Sequence, residues 1–198
     1  MHGSPSSRAG YLIAGGKSTR MGENKAFIDF RGQSLLERAL QTLRQACDAV
    51  TIVGDPETFG HYAHVISDIF PGCGPLAGIH AALNHSSADL NVVMAVDMPF
   101  VSPRLLKFLL NQAAAATVAV TVPRTSHGLQ PLCAVYRRCF ASIAEQAIRA
   151  GNYKIDATFA ESPISVVTEQ QLAAAGFPEQ DFFNINTPED RLAAHTLR

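Results

Sequence analysis

Short apolar runs alternate along the chain with longer segments in which apolar residues recur every three or four positions. The apolar runs have the length of strands and lie at residues 11–14, 50–53, 64–66, 90–96, 117–122, 132–136, 165–167 and 182–184. The periodic segments have the length of helices and lie at residues 35–46, 76–83, 103–112, up to 150, 169–175 and from 188 onward. Strands that alternate with helices are typical of a mainly parallel sheet with helices on both faces. The pattern therefore predicts an α/β fold.

Local signals add detail to this prediction. The run at 90–96 is almost entirely apolar, which is typical of a central strand buried on both faces. Ser34, Ser102 and Thr187 each stand where a helix is predicted to begin and can cap it, and the last two are followed by a proline that suits the first turn. Residues 26–30 are predicted to form a short extended piece.

Length, composition and charge narrow the class of protein. A chain of 198 residues that is 47% hydrophobic can bury a full α/β core, and we predict one domain over residues 11–198 after a flexible leader at 1–10. The net charge of −1 predicts no general attraction to nucleic acid or to an anionic membrane surface. No apolar run approaches the roughly 20 residues of a membrane span, and the four cysteines show no C-x-x-C pair. These features favour a cytoplasmic protein with reduced cysteines.

The segment after the first strand is rich in glycine and in cations. Gly15 and Gly16 follow the apolar run directly, and Lys17, Arg20 and Lys25 come within the next nine residues. Glycines let backbone N–H groups approach phosphate oxygens closely, and cations neutralise phosphate charge. The segment therefore predicts a loop that binds a polyphosphate.

Neither of the two common nucleotide-binding loops fits this segment. A P-loop needs a glycine five residues before the Gly16–Lys17 pair, and Tyr11 stands there. The dinucleotide fingerprint needs spaced glycines, whereas Gly15 and Gly16 are adjacent and the next glycine is Gly22. The order Ile-Ala-Gly-Gly-x-x-x-Arg-Met-Gly-x-x-Lys instead resembles the signature loop of nucleotidyltransferases that use a nucleoside triphosphate as donor.

Asp97 is the candidate metal ligand. It directly follows the apolar run at 90–96, and ligands in open α/β sheets bind at the carboxyl ends of the strands. A carboxylate in that place suits a hard cation such as Mg²⁺, although an aspartate before a proline is also a common turn former. The position after the predicted central strand favours the metal role.

The sequence around three further polar residues does not assign a single role to any of them. Asp68 follows the third predicted strand and, without context, is a surface carboxylate. Asn184 and Asn186 flank one residue, so their side chains would point the same way on an extended segment. The two amides could bind the polar edge of a ligand or organise the cap of the last helix.

Five blocks of sequence, taken together, resemble one family, the molybdenum cofactor guanylyltransferases. The blocks are Ile-Ala-Gly-Gly at 13–16 with its continuation to Lys25, Gly-Pro-Leu-Ala-Gly at 74–78, Val-Asp-Met-Pro at 96–99, Gln-Pro-Leu at 130–132 and Asn-Ile-Asn-Thr-Pro-Glu at 184–189. The first block alone indicates only the wider nucleotidyltransferase superfamily, whereas the second and the last narrow it. The blocks occur in order over nearly the whole chain.

The resemblance implies a fold, a reaction and a set of site residues. The implied fold is a Rossmann-like three-layer αβα sandwich of the nucleotide-diphospho-sugar transferase type. The implied reaction transfers GMP from GTP to molybdopterin carrying molybdenum and releases pyrophosphate, with Mg²⁺ as cofactor. Transient contact with other proteins of molybdenum cofactor biosynthesis, or with acceptor proteins, is an expectation of the same resemblance.

The resemblance also implies a role for each candidate residue of the site. The nucleotide would be bound by Ile13, Ala14, Gly15, Gly16, Lys25, Asp68 and Asp97. Asp97 would hold Mg²⁺, while Arg20, Lys25 and the Gly15–Gly16 amides would stabilise the leaving pyrophosphate. Asn184 and Asn186 would face the pterin.

The chain departs from the family pattern at two positions. Val53 stands where some members place an asparagine for the nucleotide, and Gln130 stands where a histidine is often found.

Four alternative functions remain open from the sequence: a cytidylyltransferase acting on the same pterin, a nucleotidyltransferase for a sugar or polyol phosphate, a non-catalytic GTP-binding regulator, and a Rossmann oxidoreductase. The missing fingerprint disfavours the oxidoreductase. Gly15 and Gly16 resemble the paired glycines of family members that use guanine, which implies a preference for GTP over CTP.

Overall fold

The computed structural model of the protein describes residues 7–15 and 24–197. The strands in these residues are β1 (Arg8–Ile13), β2 (Ala49–Val53), β3 (His64–Ile66), β4 (Leu90–Ala95), β5 (Val120–Thr125), β6 (Gly128–Leu129), β7 (Cys133–Tyr136) and β8 (Ile164–Val167). The α-helices are α1 (Leu35–Arg44), α2 (Pro56–Phe59), α3 (Pro75–His85), α4 (Pro103–Ala115), α5 (Phe140–Arg149), α6 (Ile155–Thr158), α7 (Glu169–Ala174) and α8 (Pro188–Thr196). Three short 3-10 helices lie at Lys25–Phe27, Phe159–Glu161 and Glu179–Phe182.

The described strands form one mixed sheet in which parallel pairing prevails at its centre. The order is β3-β2-β1-β4-β7-β5-β6, and β8 also pairs with β5. β1 runs parallel to both β2 and β4, so the carboxyl ends of these three strands lie at one edge of the sheet. β7 is antiparallel to its neighbours β4 and β5, because only a short hairpin connects it to β5 and a parallel connection needs a longer crossover.

Helices cover both faces of the sheet, which gives the predicted three layers. Alternate residues of β1 show this directly: Leu12 packs into one buried cluster with α1 and α4, whereas Tyr11 and Ile13 pack into another with α3 and α5. β4 behaves in the same way, and all six of its residues are buried. The prediction of a central strand covered on both faces is therefore confirmed.

The predicted helix starts are found where the capping residues indicated. The side chains of Ser34 and Thr187 each accept a hydrogen bond from the third residue of their helix, within complete capping boxes. The Ser102 hydroxyl likewise accepts a bond from the Leu105 N–H. These local interactions fix where α1, α4 and α8 begin.

Three predicted elements differ from the structure, and two short helices were not predicted. Residues 182–184 are not a strand, because the 3-10 helix Glu179–Phe182 ends there and buries Phe182. The strand expected at 117–122 lies three residues later, as β5. Residues 26–30 begin within a 3-10 helix, and only a single bridge from Asp29 to Ser34 is extended. The short helices α2 and α6 were not predicted, since four residues show no helical period.

No helix within residues 7–15 and 24–197 combines the length and the apolar character that a membrane crossing requires.

Candidate active site

The candidate site lies at the sheet edge where β1, β2 and β4 end. The Ala14 and Gly15 N–H groups both donate to the Val53 carbonyl oxygen, at 3.0 and 3.2 Å, and the Val96 N–H donates to the Ile13 carbonyl oxygen at 3.2 Å. Strand-like pairing thus continues past the last residue of each strand and brings residues 13–15 beside residues 96–97. As predicted from the sequence, Asp97 lies at the carboxyl end of a central, buried strand, at this edge of the sheet.

The Gly15 N–H belongs to the edge of the sheet, because it donates to the Val53 carbonyl oxygen. A contact of this amide with pyrophosphate stays a prediction. A Cβ placed on Gly15 would lie 3.8 Å from the nearest atoms, Gly54 Cα and Val53 O, so the protein itself leaves room there. Gly16 and Arg20, like Lys17, lie outside the residues that the structure describes.

Lys25 and Asp97, which are far apart in sequence, meet at the centre of the site. Lys25 opens the 3-10 helix Lys25–Phe27, which the Asn24 side chain caps and the buried residue Ala26 anchors. The Lys25 Nζ atom lies 3.4 Å from Asp97 Oδ2 and 2.6 Å from Asn186 Oδ1. The ammonium group therefore lies between the candidate metal ligand and a candidate acceptor-binding residue.

The electrostatics of Asp97 reflect two opposing effects. Burial raises the pKa of this carboxyl above its ordinary value, and the nearby Lys25 ammonium opposes the increase. Only 17% of the Asp97 side chain is exposed. A second cation at this carboxylate would favour the ionised form further, so the site is suited to bind positive charge.

The segment that contains Asn184 and Asn186 reaches the site through the backbone of Asp97. The Ile185 N–H donates to the Asp97 carbonyl oxygen at 2.9 Å. The two amides then diverge in their contacts, since Asn186 contacts Lys25 while Asn184 Nδ2 donates to the Phe182 carbonyl oxygen at 3.2 Å. The two side chains therefore differ in their contacts: the Asn186 amide contacts Lys25, and the Asn184 amide contacts a local turn.

Two adjoining cavities border this centre. The smaller one, about 200 Å³, lies over Lys25 and Asp97 and is also lined by Asn24 and Leu132. The larger one, about 690 Å³, extends past Val53 and Asp68 toward the start of α3. Ile13, Gly15 and Pro75 line both cavities. Together they form a cleft with a charged part and a larger, less charged part.

Asp68 places an unsatisfied acceptor in the larger cavity. Its Oδ1 atom is buried, and no group in the described part of the chain donates a hydrogen bond to it. Burial raises the pKa of this carboxyl above its ordinary value. An ionised carboxylate only accepts hydrogen bonds, so a ligand with N–H or O–H donors would satisfy it.

The first turns of α3 complete the larger cavity and were only partly anticipated. Gly74 adopts a φ of 70°, which a glycine accepts readily, and Pro75 then opens the helix. Gly78 lies in the wall, where an added Cβ would be 3.1 Å from Ile13 Cδ1 and 3.6 Å from Asp68 Oδ1. The sequence signal for this role was a glycine inside a helical pattern, which often marks a close approach. The N-terminal end of α3 also favours an anionic ligand.

The two departures from the family pattern lie in different surroundings. Val53 is buried at the end of β2, and its carbonyl oxygen accepts the bonds from Ala14 and Gly15. Gln130 contacts its own hairpin, where its Nε2 donates to Thr125 Oγ1 at 3.0 Å. The Gln130 side chain is thus engaged in local structure.

The residues present fit a single Mg²⁺ whose remaining ligands come from a bound nucleotide. Within the described ranges no group of three or more His, Cys, Asp or Glu side chains could hold a metal by itself. Mg²⁺ is commonly held by one or two carboxylates together with substrate phosphates and water. Asp97, beside the smaller cavity, supplies one such carboxylate.

Comparison with known proteins gives a consistent result. Residues 10–166 match the family model described as a MobA-like NTP transferase domain. A protein of Pelotomaculum thermopropionicum named "Probable molybdenum cofactor guanylyltransferase" is 35% identical over 95% of this chain and 92% of its own length. The molybdenum cofactor guanylyltransferase of Desulfosudis oleivorans is 32% identical over 91% of each chain. Among solved structures, molybdopterin-guanine dinucleotide biosynthesis protein A from Archaeoglobus fulgidus superimposes with a TM-score of 0.84 at 30% identity, over 94% of this chain and 96% of its own.

Proposed function

The chain belongs to the family of MobA-like NTP transferases, and from this premise we propose that it transfers GMP from GTP to molybdopterin carrying molybdenum, with release of pyrophosphate. It is a nucleotidyltransferase of molybdenum cofactor biosynthesis, as its relatives over nearly the full chain are. The observation that supports this reaction best is the Lys25–Asp97 pair in the smaller cavity, which adjoins the larger cavity.

The nucleoside of GTP would occupy the larger cavity. Its volume of about 690 Å³ is within the usual range of small-molecule pockets, which is about 300–1,000 Å³. The buried Asp68 oxygen would accept a hydrogen bond from an N–H of guanine or an O–H of ribose, which would satisfy a group that has no donor within the described protein. Ile13, Ala14 and Gly15 would border the nucleotide where the two cavities join.

The triphosphate would extend into the smaller cavity toward Lys25 and Asp97. The Lys25 ammonium group would contact phosphate oxygens, and the N-terminal end of α3 would add a favourable field for the negative charge. Gly16 and Arg20 belong to the same proposed loop and would contribute from the phosphate side. Asp97 would hold Mg²⁺, which when bound supplies charge neutralisation to the phosphates.

The reaction that follows is an in-line displacement at the α-phosphorus. A phosphate oxygen of molybdopterin forms a new bond to the α-phosphorus while the bond to the oxygen that bridges the α- and β-phosphates breaks, and pyrophosphate leaves with that oxygen. Such a step depends on positioning and on charge neutralisation and needs no covalent nucleophile. Lys25 would stabilise the charge that develops on the leaving group. Asn184 and Asn186 would lie on the acceptor side of the cleft.

A single-turnover assay with GTP, Mg²⁺ and molybdopterin tests the proposal. Formation of the dinucleotide with stoichiometric pyrophosphate is expected, and both should depend on Mg²⁺. Lys25→Ala should weaken GTP binding and slow pyrophosphate release, whereas Lys17→Ala, which is off the family pattern, should have a smaller effect. GTP binding without turnover would instead indicate a regulator, and comparable rates with CTP would indicate a cytidylyltransferase.

A further inference from the structure

Asn186 lies closer to the Lys25 ammonium group than Asp97 does. The distance from Lys25 Nζ to Asn186 Oδ1 is 2.6 Å, compared with 3.4 Å to Asp97 Oδ2. The amide oxygen is therefore at full hydrogen-bond distance, whereas the carboxylate is near the outer limit. A hydrogen bond to a residue 161 positions away in sequence therefore helps to orient the ammonium group.

The backbone of Asn186 is held in place from both sides. On one side, the preceding residue Ile185 is buried and donates its N–H to the Asp97 carbonyl oxygen at 2.9 Å. On the other side, the Asn186 and Thr187 N–H groups both donate to Asp190 Oδ2 at 2.9 Å, within the capping box of α8. The amide therefore extends from a backbone that two independent anchors fix.

A neutral acceptor is well suited to orient a lysine that must bind phosphate. A lysine side chain has many rotamers, and fixing one of them before the ligand arrives reduces the entropy lost on binding. An amide oxygen does this without cancelling the positive charge, whereas a second carboxylate would compete with the triphosphate for the ammonium group and repel the anion.

We propose that Asn186 is a positioning residue that holds Lys25 in the orientation required to bind the triphosphate of GTP. This role is distinct from contact with the acceptor, and it rests on the function proposed above. Asn184, whose amide contacts the Phe182 carbonyl oxygen, has no such role.

A double-mutant cycle on GTP affinity tests the proposal without any transfer reaction. Calorimetric titration with GTP and Mg²⁺, in the absence of molybdopterin, would compare wild-type protein with Asn186→Ala, Lys25→Ala and the double variant. We expect Asn186→Ala to weaken GTP binding about three- to tenfold in the wild-type background and to have almost no effect in the Lys25→Ala background. Asn186→Leu, which keeps the size of the side chain but has no acceptor, should behave like Asn186→Ala.

Asn184→Ala provides the matched amide control, for which GTP affinity should stay within twofold of wild type. The inference is overturned if Asn186→Ala leaves GTP affinity unchanged, or if it weakens binding equally in both backgrounds. A rise in the KM for molybdopterin alone would assign Asn186 to the acceptor instead. If wild-type protein binds no GTP, the proposed function itself fails, so the two failures are distinguishable. Melting temperatures would identify a variant that is unfolded.

Discussion

Burial raises the pKa of Asp97, so ionisation of this carboxyl group lowers the stability of the folded protein. The direction in which pH changes the stability follows from proton linkage. A folded-state pKa above the unfolded value means that the folded state binds the proton more tightly, so stability falls as pH rises through these two values. The cost in stability is fully present once the pH is above both values.

Asp97→Asn should separate function from stability. Turnover is expected to fall by orders of magnitude, because a neutral amide cannot hold Mg²⁺ comparably. The melting temperature at pH 7 should be no lower than that of wild type, and any gain should shrink as pH falls toward 4. Thermal unfolding between pH 4 and 7 and pyrophosphate release would measure both effects. Near-normal activity of this variant at low Mg²⁺ would remove the metal role from Asp97.

Gly15→Ala tests which base the cleft selects. The added Cβ would contact the protein only at 3.8 Å, so the fold should tolerate it and any effect should come from the ligand. A methyl group where guanine packs should cost about 1–3 kcal/mol, and GTP should be penalised more than CTP. Rates with the two triphosphates would give the ratio. An unchanged ratio of the rates with GTP and CTP would contradict the assignment of guanine but not the assignment of nucleotidyl transfer.

The α3 helix forms a wall of the larger cavity, and Gly78 is where this wall is closest to Ile13. Gly78→Ala should add up to about 1 kcal/mol of helix propensity, while the new Cβ crowds Ile13 Cδ1 at 3.1 Å and approaches Asp68 Oδ1. We expect GTP affinity to fall about tenfold with little change in melting temperature. Calorimetric titration and thermal melts would check this. Unchanged affinity would mean that the nucleoside does not lie against this helix.

The capping box of α8 links helix stability to the site. Asp190→Ala removes the acceptor of two N–H groups and should cost about 1 kcal/mol of stability. GTP affinity should fall less than in Asn186→Ala, because the Ile185–Asp97 bond remains. Glu189→Ala, in the same exposed turn, is the control and should change neither property. Equal effects of the two substitutions would show that the cap does not position Asn186.

At the scale of the whole molecule, nucleotide binding should stabilise the fold, because residues from β1, α3 and the segment after β4 all line the cleft. A ligand at one hundred times its Kd adds about 2.7 kcal/mol to the stability of the state that binds it. We expect GTP with Mg²⁺ to raise the melting temperature more than CTP does, and Lys25→Ala to reduce that rise. Equal shifts with both nucleotides would contradict selection of guanine.

Parts of the fold that depend on local sequence were predictable. The caps at Ser34 and Thr187 define helix starts through side chains three residues away, and the apolar run of β4 reports burial on both faces. The loop from Gly15 to Lys25 indicated phosphate binding because its glycines and cations lie close together in the sequence. Local sequence was thus sufficient for the order of the longer helices and of most strands, for the α/β class and for the candidates Lys25 and Asp97.

How these segments meet in space depends on contacts that form only when the chain folds. The antiparallel direction of β7 depends on its hairpin with β5, and the turn at Phe182 depends on burial. The contact of Lys25 with Asn186 joins residues 161 positions apart, and the unsatisfied oxygen of Asp68 follows from what surrounds it. Periodicity and motif spacing describe neighbours along the chain, whereas strand pairing, burial and the partners of a charged side chain arise between segments that only folding brings together.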